Sequence, residues 1–99
     1  MSGAIRMNTA TKGRRAEHRA RAILEAAGFS VTRAAGSKGP ADLVAWDALS
    51  IRFISVKSGT KYASAAEREA LHALAVPPCA SREIWRFPDR CRHPLIERL

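Results

Sequence analysis

The chain has 99 residues, of which 46% are hydrophobic and 26% charged, so we expect one small globular domain rather than a disordered segment. Its net charge of +8 favours a polyanionic partner, and nucleic acid fits better than an anionic membrane surface because no strongly apolar amphipathic helix accompanies the charge. Because the sequence lacks a membrane-length apolar run and a signal-peptide core, we expect a cytoplasmic protein with reduced Cys79 and Cys91.

The first third of the chain predicts an arm, a helix and a strand. Residues 1–11 carry Gly, Ser, Asn and Thr without periodicity and predict a flexible N-terminal arm, which leaves residues 12–99 as a single domain. Small and apolar residues recur with a period near 3.6 over Lys12–Ala27, and Gly28 suits a helix C-terminus, so this segment is predicted to be a helix. The alternation in Phe29–Arg33 predicts a strand.

The rest of the chain predicts three strands and one more helix. Strands are predicted at Asp42–Trp46, Ile51–Lys57 and Glu83–Phe87. A helix is predicted over Ser64–Ala75 and ends before two prolines, and the basic segment Pro88–Leu99 is expected to be a short helix or a docking tail. The order α-β-β-β-α-β predicts an α/β fold with a mixed β-sheet flanked by helices.

An acid and a lysine are predicted to meet on the sheet. Period 2 places Phe53, Ser55 and Lys57 on one face, and a hairpin between the second and third strands would bring Asp42 close to Lys57. A carboxylate that holds Mg²⁺ and a lysine that offsets phosphate charge are the groups of a metal-dependent nuclease. Taken singly, the same residues suit a turn aspartate and a solvated lysine at a strand end.

Three segments in this order resemble the archaeal-type Holliday junction resolvases, which are small dimeric members of the PD-(D/E)XK nuclease superfamily. They are "KGRRAEHRARAILEAAGFSVTRAAGS" from Lys12, "PADLVA" from Pro40 and "ISVKSGTKY" from Ile54. In the family, the first segment corresponds to Lys-Gly followed by a helix and by Gly-Phe-x-Val-x-Arg. The second corresponds to Pro-Asp followed by aliphatic residues, and the third to a hydrophobic strand with Glu-x-Lys-Ser. The resemblance spans about residues 12–74. It implies a restriction-endonuclease-like fold and a homodimer that resolves four-way DNA junctions by paired nicks, with Mg²⁺, or alternatively Mn²⁺, as cofactor.

The resemblance also assigns roles to individual residues. It implies that Asp42 and Glu17 serve the metal site together with the backbone of Val56, that Lys57 is the catalytic lysine, and that Ser55 occupies the position of the usual glutamate. It further implies contacts to DNA, with the scissile phosphate near Ser37. The residues in these DNA contacts are Lys12, Arg14, Arg15, Arg19, Arg33, Ser37, Lys38 and Lys61.

Ser55 departs from the family pattern, because a hydroxyl lacks the charge that favours a hard cation. The acid is relocated to the next helix at Glu67 or Glu69, or it has been removed by a Glu→Ser substitution, or the protein binds junctions without cutting them. Ser64-x-x-Glu67 is also a capping box, which would occupy Glu67 at the helix start. The alternatives to a junction resolvase are therefore a non-catalytic branched-DNA-binding protein on the same fold and a different PD-(D/E)XK endonuclease.

The remaining candidate residues are predicted to be structural. The histidines and cysteines have no zinc-like spacing. Phe53, Trp46 and Trp85 are predicted to lie in the core rather than to stack on bases.

Overall fold

The computed structural model describes residues 9–34 and 39–99, with side chains from residue 13 onward. Its elements are α1 (Thr9–Ala26), β1 (Ser30–Arg33), β2 (Leu43–Trp46), β3 (Ile51–Ser58), α2 (Ala65–Ala73), β4 (Ala80–Phe87) and β5 (Leu95–Arg98). None of the helices in these ranges combines the length and the hydropathy that a bilayer crossing requires.

The strands form one mixed sheet in the order β1-β2-β3-β4-β5. The pairs β1–β2, β2–β3 and β4–β5 are antiparallel, whereas β3 and β4 are parallel and joined by a crossover through α2. Two parallel strands require such a crossover, because the chain must return to the end of the sheet at which the first strand begins and a short turn cannot span that distance. The predicted α/β class and mixed sheet are confirmed.

The core lies between α1 and one face of the sheet. Ala16, Ala20 and Leu24 are buried on α1 at the spacing of one helical face. Because two of these are alanines, the helix can approach the sheet closely. Their buried partners come from all four of the first strands and are Val31, Leu43, Ala45, Ile54, Trp85 and Phe87.

The opposite face of the sheet is covered in part by α2. Leu71 is buried there with 1% exposure, and Arg82 donates to the carbonyl oxygen of Leu74 at 2.9 and 2.6 Å, which ties the helix end to β4. The helix begins with the predicted capping box, in which Ser64 and Glu67 each accept from the other's backbone N–H.

Three expectations about the fold were wrong. The C-terminal segment, expected to be a short helix or a docking tail, contains strand β5, which pairs with β4. Helix α1 begins at Thr9, inside the expected arm, of which residues 1–8 lie outside the described ranges. Trp46 is 40% exposed rather than part of the core, because side chains alternate along β2 and Trp46 points away from the face on which Leu43 and Ala45 are buried.

Candidate active site

A cleft of about 420 Å³ opens on the α2 side of the sheet, where β2 begins and β3 ends. Asp42 lies one residue beyond the Leu43–Ile54 pair and therefore faces Ser55 across the hairpin. Its backbone N–H donates to the carbonyl oxygen of Ile54 at 2.8 Å, which fixes this register. The cleft is lined by Gly39, Pro40, Asp42, Ser55, Lys57, Ala66, Glu67 and Ala70.

The carboxylate of Asp42 is held against β3. Its Oδ2 accepts the backbone N–H of Val56 at 2.7 Å. Burial raises the pKa of Asp42 above its ordinary value, although the Val56 hydrogen bond and the charge of Lys57 oppose this. A half-buried carboxylate with a raised pKa is one whose negative charge is incompletely compensated, so a cation in the cleft would stabilise it.

Lys57 and Glu67 form an ion pair across the cleft. The pair, with the Ser64 backbone hydrogen bond, lowers the pKa of Glu67 to about 2. The two carboxylate oxygens are divided between two roles: Oε1 accepts the N–H of Ser64 in the capping box, and Oε2 pairs with the ammonium of Lys57. Glu67 therefore caps α2 and contacts Lys57 in the cleft at the same time, so its role in the capping box does not prevent a role in the cleft.

Glu69 and Glu17, the other candidate acids, lie outside this cleft. Glu69 is exposed and does not line it. Glu17 lies on α1, on the opposite face of the sheet, and accepts from Nε of Arg33 at 2.9 Å beside a separate pocket. The two carboxylates line different pockets, but Arg33, which pairs with Glu17, also lowers the pKa of Asp42 through its charge, so the role of Glu17 at the metal site stays a prediction.

The cleft offers few protein ligands for Mg²⁺, so most of the coordination shell would come from water and substrate phosphates. Among residues 9–34 and 39–99, His, Cys, Asp and Glu form no group of three or more that could hold a metal ion. Asp42 and Glu67 supply two carboxylates, and Ser55, a residue with 7% exposure, adds a hydroxyl to the lining. Mg²⁺ commonly binds through one or two carboxylates and completes its shell with water and substrate phosphates, so two acids are sufficient for this mode.

The predicted DNA-binding residues have diverse surroundings. Arg14, Arg15 and Lys61 are exposed. Arg19 instead donates to the carbonyl oxygens of Cys91 and Arg92 at 2.6 and 2.9 Å, and its guanidinium lies 4.7 Å from the centre of the Phe87 ring, so it ties the C-terminal segment to α1. Ser37, Lys38 and the side chain of Lys12 lie outside the described part of the chain.

Sequence reasoning missed Arg86. The parallel register pairs Lys57 with Arg86, so the two side chains project from neighbouring strands on the same face. The guanidinium of Arg86 lies 4.3 Å from the centre of the Tyr62 ring. A basic residue inside a predicted strand was the only sequence signal, and it becomes informative only when the register between β3 and β4 is known.

The mixed sheet, with an aspartate at the start of one hairpin strand and a lysine at the end of the next, defines the class of PD-(D/E)XK-like nuclease folds. The family described as archaeal Holliday junction resolvase (Hjc) matches residues 8–77, more than half of the chain. The chain belongs to this family.

A solved structure agrees with the family match. The 1.6 Å structure of Hjc, a Holliday junction resolvase from the archaeal hyperthermophile Archaeoglobus fulgidus, is similar with a TM-score of 0.69 and 30% sequence identity. The alignment covers 81% of this chain and 67% of that one. No curated protein matches the sequence.

Proposed function

We propose that this protein is a structure-selective endonuclease that cuts four-way DNA junctions with the help of a divalent cation, Mg²⁺ or alternatively Mn²⁺. The observation that carries the proposal is the meeting of Asp42, Lys57 and Glu67 in one cleft at the end of the β2–β3 hairpin. Membership of the resolvase family supports the substrate class. The net charge of +8 supports a mode of binding in which phosphate contacts dominate affinity.

Asp42 and Glu67 would hold the cation, together with the backbone of Val56, which already faces Asp42. When bound, such a cation lowers the pKa of a water molecule and offsets phosphate charge. Lys57 would stabilise the additional negative charge of the transition state. Glu67 restricts the ammonium of Lys57 to the cleft, and Ser55 lines the cleft with Asp42 and Lys57 without adding charge.

Of the three explanations for Ser55, the geometry supports relocation of the acid to Glu67. Glu67 lines the cleft and contacts Lys57, whereas Glu69 does neither. Glu67 is thus the second acidic ligand in this proposal.

The proposal can be tested with a labelled four-way junction and a linear duplex of the same sequence, each with and without Mg²⁺. Cleavage of the junction alone, only with Mg²⁺, is expected. Glu67→Gln should abolish it and Glu69→Gln should not. If neither substrate is cut by the unaltered chain, but Ser55→Glu produces cleavage, relocation is wrong and the acid is missing.

A second candidate function is junction binding without cleavage, and Ser55 is the observation that favours it. A protein of this kind would leave both strands intact with and without Mg²⁺, and Mg²⁺ would only weaken its binding, as any salt does when phosphate contacts dominate affinity. Asp42→Asn would then remove no activity and would not weaken the binding of the junction.

We also propose that the active form is a homodimer, because paired nicks in two strands require two clefts. Large apolar side chains remain exposed on the single chain, which supports a further interface. At the β2–β3 turn they are Trp46 and Leu49.

A further inference from the structure

Two cations lie side by side at the end of the central parallel strand pair. Lys57 on β3 and Arg86 on β4 are paired in register, and neighbouring strands are about 4.8 Å apart. Like charges in such a position repel each other. Glu67 compensates Lys57, but within the described part of the chain no carboxylate pairs with Arg86.

The Tyr62 ring holds Arg86 in place without neutralising its charge. The ring is 69% exposed, and the guanidinium carbon lies 4.3 Å from its centre. A guanidinium stacked on a ring keeps the N–H groups of its edge free, and these match two oxygens of one phosphate. Because the stacking restricts the long side chain before any ligand arrives, less conformational freedom is lost on binding.

A groove extends from this position along the sheet. It has a volume of about 250 Å³ and lies on the α2 side between β4, β5 and the segment that leads into α2. The other arginine in the groove, Arg68, is already paired with Glu97, so Arg86 supplies the uncompensated charge. The groove is lined by Tyr62, Ala63, Arg68, Ile84, Arg86, Leu95, Ile96 and Glu97.

We propose that Arg86, held over Tyr62, is a second phosphate-binding position that takes the backbone phosphate next to the one at Lys57. This inference rests on the proposed function, because it requires DNA in the cleft. Arg86 contacts the DNA, whereas Tyr62 is a positioning residue that acts through Arg86. The DNA strand that is cut would then run from the cleft into the groove, which defines its path across the sheet but not its 5′–3′ polarity.

The inference predicts a specific change in the salt dependence of junction binding. In the absence of divalent cations, Arg86→Gln should weaken the binding of a labelled four-way junction roughly tenfold and reduce the slope of log K against log[salt] by about one unit, as expected for one lost phosphate contact. Arg21→Gln is the matched control: it removes one positive charge from α1, where Arg21 is paired with Glu25 outside the groove, and should change affinity and slope much less than Arg86→Gln does.

Variants of Tyr62 test the positioning role. Tyr62→Phe keeps the ring and should bind as the unaltered protein does, whereas Tyr62→Leu should lose affinity several-fold. In the Arg86→Gln background, Tyr62→Leu should have no further effect, because Tyr62 acts only through Arg86. An additional loss in that background would show that Tyr62 contacts DNA by itself and would overturn its role.

The outcomes separate this inference from the proposed function. Absence of junction binding by the unaltered chain would overturn both. Junction binding with an unchanged salt slope in Arg86→Gln would overturn only the inference. A change of sedimentation mass in Arg86→Gln, at an unchanged slope, would mean that the groove is a protein interface and would also overturn it.

Discussion

Ser55 changes the charge of the cleft as well as its ligands. The ionised side chains of Asp42, Lys57 and Glu67 leave one net negative charge there. A glutamate at position 55 would add a second one directly across the hairpin from Asp42. Because burial already raises the pKa of Asp42, a neighbouring acid would raise it further. With serine at this position, the second acid stands farther away, on α2, and is compensated by Lys57.

Asp42→Asn should stabilise the fold while it removes cation binding. A carboxylate whose pKa is raised by folding contributes stability below its ordinary pKa of 3.8, and this is lost as pH rises through the folded value. At neutral pH the asparagine avoids this cost and can still accept from Val56. We therefore expect a higher Tm for Asp42→Asn than for the unaltered protein at pH 7.

Mg²⁺ provides the control for this prediction. The Tm of the unaltered protein should rise with added Mg²⁺, because a ligand that binds only the folded state stabilises it. The Tm of Asp42→Asn should not respond. A lower Tm for Asp42→Asn at pH 7, or an equal response of both proteins to Mg²⁺, would contradict the assignment of Asp42.

Glu67→Gln should lower stability at neutral pH by less than about 1 kcal/mol, because the side chain is 48% exposed and solvent screens the pair with Lys57. Glutamine also serves at the N3 position of a capping box, so the substitution removes the negative charge of Glu67 and keeps the cap. Since folding lowers the pKa of Glu67 to about 2, the contribution is present above its ordinary value of 4.5 and disappears as pH falls towards 2.

Urea unfolding at pH 7 and pH 3 would measure this difference, which should shrink at the lower pH. Glu69→Gln is the matched control on the same helix, because Glu69 is exposed and does not line the cleft. An equal effect of both variants would mean that the loss comes from helix charge rather than from Lys57.

The sequence predicts which residues line the cleft, but it does not predict which side chains they contact. Asp42 and Lys57 follow from strand period and hairpin pairing, which are local patterns. The capping box predicted that Glu67 would sit at the start of α2, but its second contact depends on where α2 lies against β3. Tyr62 and Arg86 are 24 positions apart in the chain, and only the parallel register brings them together.

At the scale of elements, the parallel pair β3–β4 organises both ends of the molecule. At one end it aligns Lys57 with Arg86, and at the other it brings Arg52 to Glu83. Glu83 has 0% exposure and accepts from Arg52 at 2.9 and 2.7 Å. It also accepts from Ser81 and from the indole of Trp85, at 2.6 and 2.8 Å. Burial raises the pKa of Glu83, but these hydrogen bonds outweigh it and the net shift is downward.

Arg52→Ala should destabilise the protein by about 3 kcal/mol, because it leaves the buried carboxylate of Glu83 without its main partner. The double variant Arg52→Met/Glu83→Leu should lose much less, since both charges are removed together. Urea unfolding of the unaltered protein, Arg52→Met, Glu83→Leu and the double variant gives the coupling energy. If the double variant is as unstable as Arg52→Ala, packing of the Arg52 stem, rather than pairing, supports this end of the sheet.

Strand β5 was missed because its sequence, Leu-Ile-Glu-Arg, has too short an apolar pattern to indicate a strand. All four of its residues are exposed, so no hydrophobic face marks it. Its structure comes from backbone pairing with β4, and short, charged edge strands of this type are a common protection against edge-to-edge association. The other four strands, each with at least one buried apolar residue, were predicted to within three residues at either end.

At the scale of the whole molecule, both the small size and the exposed apolar side chains favour association with a second copy of the chain. A chain of 99 residues forms only a modest core, and association with a second copy is a common source of further stability. Trp46 and Leu49, 40% and 85% exposed, lie at the β2–β3 turn, whereas Leu95 and Ile96 lie on the edge strand β5. Because Leu95 and Ile96 line the groove proposed for DNA, Trp46 and Leu49 are the apolar side chains that we expect a second copy to bury.

A homodimer should show a Tm that depends on protein concentration, because association stabilises the folded state by mass action. Over about a hundredfold range of concentration we expect an increase of several degrees, together with twice the monomer mass in sedimentation. On a supercoiled plasmid that extrudes a cruciform, a dimer with two working clefts should yield linear DNA by paired nicks. Mixed dimers that carry one Asp42→Asn subunit should yield nicked circles. A monomeric mass and a constant Tm, with linear product still formed, would mean that one cleft acts twice and that no dimer is needed.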